Sequence, residues 1–145
     1  MRRFLLGSAI AAACTMPVLA HHAFGGEFDP NKPVLLKGKI TKLEWVNPHT
    51  WIHVEIVKTE GDKPCEFTPN SKCEEWMVEG GTPNTLLRRG FTKESLKKGT
   101  QITVDGYQSK DGSLRANGRD LTLPNGQTLF LGSSGTGAPD EASRK

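Results

Sequence analysis

The sequence predicts a mainly β fold: a small Greek-key barrel with one short helix between its third and fourth strands. Three observations predict it. Short stretches alternate apolar and polar residues, turn residues punctuate them, and a single segment carries helical start and stop signals. Residues 50–57 alternate most clearly, with Ile52, Val54 and Ile56 on one face and Trp51, His53 and Glu55 on the other. A plain β-sandwich built from the same strands is the alternative.

The first strand is expected over residues 34–45, with apolar positions at Val34, Leu36 and Ile40 and then at Leu43 and Trp45. The phase changes between Ile40 and Leu43, which predicts a bulge or bend at Thr41-Lys42. After the second strand comes a turn at Gly61-Asp62-Lys63-Pro64, and a third strand over 74–79 points Trp76 and Val78 inward. Thr82 supplies an N-cap, Pro83 suits the first helical position and Gly90 suits the stop. Thr92 offers a second cap-like start before residues 93–96. Strand returns at 101–107 and, beyond Lys110-Asp111-Gly112-Ser113, over 114–123 and 127–131, joined by the hairpin signal Pro124-Asn125-Gly126. Three strands, a helix and two or three further strands make the order of an OB-type barrel, whose long, bent first strand serves both sheets.

Residues 1–20 read as a signal peptide, with Arg2 and Arg3, a short apolar stretch and the small-residue site Val18-Leu19-Ala20. Cleavage after Ala20 leaves 125 residues, enough for one domain over 21–132 followed by a Gly/Ser-rich tail, 133–145, expected to be disordered. Lipidation at Cys14 is the other reading of the leader, and it would keep the histidines inside a tethered chain. The net charge of +3 falls to +1 without Arg2 and Arg3, which gives no argument for a polyanionic partner. No later apolar stretch approaches spanning length, so no membrane span is expected in the mature chain, and the periplasm is the expected location. Cys65 and Cys73 remain as an even pair in an oxidising compartment. A disulfide between them would close a turn-rich loop and stabilise the fold by about 2–3 kcal/mol.

Cleavage after Ala20 also places a free α-amine on His21. An amine and an imidazole on one residue form a pair of nitrogen ligands for a late first-row metal, copper above all. The α-amine has an ordinary pKa of about 7.7–8.0, so a metal can displace its proton at neutral pH. The logic is that of the histidine brace of copper proteins, although the surrounding sequence is not of those families. His49 would supply a third nitrogen, with His22 as an alternate ligand. His49 and His53 are not expected to share an ion, since four extended residues separate them by about 13 Å and metal–nitrogen bonds are only about 2 Å long. The blander reading makes His21-His22 a polar start and Asn47-Pro48-His49 ordinary turn chemistry.

Trp45, Asn47 and Trp51 mark the same end of the barrel as a surface for a small ligand or a partner protein, or else as barrel-end packing. Arg88, Arg89, Lys93, Lys97 and Lys98 read as the solvated face of a short helix. Nucleic-acid binding would want exposed aromatics along the strands, and Tyr107 is the only tyrosine. No serine lies in a nucleophile-elbow pattern, and the carboxylates are scattered, so no enzyme is expected.

Several of these residues also form a shared pattern. His21-His22-Ala23-Phe24, Glu27-Phe28-Asp29, Trp45-Val46-Asn47-Pro48-His49 and Trp51 resemble an uncharacterised bacterial family of small exported proteins. The resemblance continues through Pro83-Asn84-Thr85-Leu86-Leu87-Arg88-Arg89-Gly90, Gly106-Tyr107 and Leu123-Pro124-Asn125-Gly126, and so covers nearly all of residues 21–132. It implies an exported, mostly β protein with no established activity. The Cys65–Cys73 loop stands as an insertion in that pattern, and His53 occupies a position where another residue type is expected. Together these readings give an exported periplasmic binding module that holds copper or a similar metal. The alternative is a non-catalytic module that binds a partner protein or small ligand.

Overall fold

A computed structural model describes residues 24–56, 73–132 and 137–139. The chain runs α1 (Phe24–Glu27), β1 (Phe28–Glu44), β2 (Trp51–Ile56), β3 (Glu74–Glu79), α2 (Pro83–Arg88), β4 (Gln101–Ser109), β5 (Arg115–Thr122) and β6 (Thr128–Phe130). The strand order is β3-β2-β1-β4-β5-β6, and β3 also pairs with β5, so five of the strands close a ring. All pairings are antiparallel except β3 with β5, which run parallel. This is the expected mainly β barrel, with its helix between the third and fourth strands.

β1 holds the ring together because it pairs along both edges. Residues 38–44 face β2, and residues 28–39 face β4. Gly38 belongs to both ladders, opposite Ile56 and Ile102, where the strand bends from one sheet to the other. A Cβ at this position would lie 2.0 Å from the carbonyl oxygen of Glu55, so only glycine allows so close an approach. The expected bulge is present at Thr41, which drops out of register between Ile40 and Lys42. β1 begins at Phe28, ahead of the expected start at residue 34, because an irregularity between Phe28 and Pro33 still leaves Phe28 opposite Ser109.

The core is the inner face of this ring, where Leu36, Ile40, Ile52, Val54, Trp76, Val78, Val104 and Leu121 are buried together. Leu86 of α2, with Phe91 and Leu96 after it, is buried in the same core. Thr82 caps α2 by accepting the Thr85 N–H, and the chain leaves through Gly90 at φ +94°. Thr92 and Ser95 exchange backbone-to-hydroxyl bonds of 3.0 Å each, but the segment makes a turn and no helix follows. The Asn125-Gly126 turn closes as expected, with Leu123 N–H donating to the Gln127 carbonyl at 2.8 Å. Arg89 departs from the solvated basic face. Its guanidinium lies over the Phe130 ring at 4.5 Å and donates to the Phe130 and Gly132 carbonyls.

α1 is the element with no counterpart among the expected ones. Phe24 and Phe28 form a satellite core with Ala138, and Tyr107 packs against it edge-on to Phe24 at 5.4 Å. The Lys110 N–H donates to the Glu27 carbonyl at 2.9 Å, its ammonium reaches the Gly25 carbonyl, and Glu27 pairs with Arg115. Residues 24–28 are therefore strapped onto the ends of β4 and β5.

Candidate functional site

The strap leads through Arg115 to a group of buried polar side chains, some of whose atoms have no hydrogen-bond partner among the described residues. Arg115 links the two, since it pairs with Glu27 and its guanidinium lies 5.2 Å from the Trp51 ring centroid. Trp51 opens β2 opposite Glu79, the last residue of β3, and Glu79 in turn lies opposite Asn117 of β5. His49 stands two residues ahead of Trp51, in the loop that contains the cis Asn47–Pro48 bond. Thr50 ties that loop down by exchanging backbone bonds with Gly80 and Gly81 at 2.8 and 3.1 Å. Two strands and one loop thus bring His49, Glu79 and Asn117 together.

The His49 side chain is 16% exposed and that of Glu79 is 10% exposed. His49 Nδ1 lies 3.5 Å from Glu79 Oε1 and has no hydrogen-bond partner, although the atom is buried. The Asn117 amide donates to the same carboxylate oxygen at 3.4 Å, and its own Oδ1 is buried without a partner. Burial pushes the Glu79 carboxyl above the usual carboxylate range, and the charge of Glu27 adds to the rise. His49, Arg115 and the Asn117 hydrogen bond pull the other way. Buried polar groups are normally satisfied, so an imidazole nitrogen and an amide oxygen without hydrogen bonds in one spot make this cluster a candidate site.

His53 contrasts with it. Its Nε2 meets Glu44 at 2.8 Å and its Nδ1 meets Glu75 at 3.2 Å, so both nitrogens are engaged across β1, β2 and β3. Thr41 Oγ1 also donates to Glu75, and Lys42 pairs with Glu44, which is held below its usual range first by Lys42 and then by His53. His49 and His53 therefore belong to different clusters, as the strand geometry requires.

His21 and His22 lie outside the described residues, as does Cys65 of the expected disulfide; Cys73 lies just ahead of β3. Trp45 is partly buried and packs against the core, Trp51 is half-buried, and Asn47 is exposed. Among the described residues no three of His, Cys, Asp or Glu converge into a metal-binding group. Glu79 and Asn117 escaped sequence reasoning because only the β2–β3 and β3–β5 registers bring them to His49. The sole hint was a carboxylate at the end of a strand whose Trp76 and Val78 point inward.

Residues 9–118 match the family model of a family of unknown function. No curated protein and no solved structure matches the chain.

Proposed function

We propose that this chain, which belongs to the family of unknown function DUF6152, is an exported metal-binding module that uses a histidine N-terminus. The observation that carries the reading is His49 Nδ1, buried, without a hydrogen-bond partner and beside a buried carboxylate. Export with cleavage after Ala20 would place the His21 amine and imidazole three residues ahead of Phe24, a reach of about 10 Å. Phe24 is anchored by its satellite core, and Glu27 holds Arg115 next to Trp51 and raises the pKa of Glu79, so the strap's Glu27 end is coupled to the His49–Glu79 cluster. His21 with His49, or His22 in place of one of them, would then present nitrogen donors to copper or a similar late first-row ion. The module would hold or deliver the ion in the periplasm without turnover, and the Cys65–Cys73 disulfide would fit the same compartment.

The test is a copper(II) titration on protein recovered from a bacterial periplasm, after mass spectrometry has identified His21 as its first residue. A matched sample carries one extra N-terminal residue. The reading expects one-to-one binding that the extension weakens at least tenfold. Weak binding that is equal in both samples would overturn it and favour a partner-binding module that uses Trp45, Asn47 and Trp51.

A further inference from the structure

We propose that residues 24–28 form a hinged cover over the outer face of the seam between β3 and β5, and that they lift from it without unfolding the barrel. The row of side chains beneath them carries the inference. Trp51, Glu79, Asn117 and Tyr107 stand opposite one another in turn across β2, β3, β5 and β4. Their chain neighbours Ile52, Val78 and Ala116 belong to the core, so the row lies on the outer face of the ring. An outer face is normally wet, yet Glu79, Ser109 and Asn117 are only 7%, 1% and 2% exposed. The strap accounts for this burial. Phe24 packs on Tyr107, Phe28 stands opposite Ser109, and Glu27 pairs with Arg115, two residues from Asn117 on the same face of β5.

The cover is built to separate from what it covers. Phe24, Phe28 and Ala138, with Tyr107 against them, form a cluster of their own, distinct from the core inside the ring. Residues 29–32 make the hinge. Between Phe28 opposite Ser109 and Pro33 opposite Tyr107, five steps along β1 match two along β4, and residues 30–32 are exposed. A bulged connection of this kind can swing while the pairing from Pro33 onward stays in place. The closed position is also imperfect. Asn117 Oδ1 is buried without a hydrogen-bond partner, so water reaching it on opening offsets part of the packing lost. Lifting the strap uncovers Asn117 beside Glu79 and His49, which makes it a gate to the candidate site and goes beyond the metal-binding reading.

The experiment follows hydrogen exchange by NMR in the wild-type protein and in Phe24→Ala, with a chelator present so that the outcome is independent of any metal. The Lys110 N–H, which donates to the Glu27 carbonyl, reports the cover. The side-chain amide of Asn117, which donates to Glu79, reports the face beneath it. The N–H of Val54, in a strand paired along both edges, reports the barrel. In Phe24→Ala, Lys110 and Asn117 are expected to exchange about tenfold faster or more, while Val54 changes by less than about twofold. Equal acceleration at all three positions would mean that the strap opens only with the barrel, and would overturn the proposal. Acceleration at Lys110 without Asn117 would show that the strap does not cover the row, and unchanged rates would show that Phe24 does not hold it; either result overturns it as well. So would a Phe24→Ala protein that cannot fold, because the core of the strap would then be part of the core of the barrel.

Discussion

His49 and His53 show how little a residue's identity says until its partners are known. Both are largely buried, but carboxylates from β1 and β3 take up both nitrogens of His53, while Nδ1 of His49 is left open. The sequence could rule out a shared ion from spacing alone. It could not tell which histidine was already engaged, because Glu44 and Glu75 reach His53 from different strands. The same holds for Asp111, which reads as a loop acid until Ser109 and Ser113 are seen around it. The Ser109 hydroxyl donates to it at 2.6 Å and the Ser113 N–H at 2.9 Å. These bonds, the Ser109 one first, draw its carboxyl down from 3.8 to about 2. A folded-state pKa below the unfolded one gives stability that is present above the unfolded value and lost as pH falls through the folded one. Urea unfolding between pH 5 and 2 should therefore show the wild-type protein losing more stability than Asp111→Asn. Parallel curves would mean that these bonds do not hold the loop.

At the scale of the element, β1 was legible where its pattern had a physical cause. The phase change at Thr41-Lys42 predicted the bulge, and the bulge is there. The start of β1 at Phe28 was not legible, because Pro30 and Pro33 look like strand-breakers when the irregular pairing with β4 is unknown. α1 escaped for a related reason: four residues with two glycines carry no helical period, and Phe24 and Phe28 pack with the distant Tyr107 and Ala138. Gly38 is the position on which the strand's double duty depends. Gly38→Ala would drive its new methyl group into the Glu55 carbonyl, a backbone atom that cannot swing aside. A destabilisation of about 1–3 kcal/mol is expected, read as a lower urea midpoint. Gly25→Ala, with open space around its Cβ, should leave the midpoint unchanged.

At the scale of the whole molecule, the OB-type order followed from three strands, a capped helix and further strands. The site did not follow, because it exists only where the ring closes. Closure is brief: β3 meets β5 through Met77, Val78 and Glu79 opposite Arg115, Ala116 and Asn117, with the Met77 N–H donating to the Leu114 carbonyl at 2.9 Å. Glu79 belongs to the β3 side of this seam, while the strap carrying Phe24 and Glu27 is fastened to the β5 side through Arg115. With three residue pairs, this is the shortest join in the ring, so the barrel is expected to open here first. Amide exchange at Met77 should therefore be faster than at Val104 in β4, which is paired along both edges; equal rates would mean that the seam opens only with the whole barrel. Anything that pries β3 from β5 would also part Glu79 from Asn117, so opening the barrel and dismantling this polar cluster are one event.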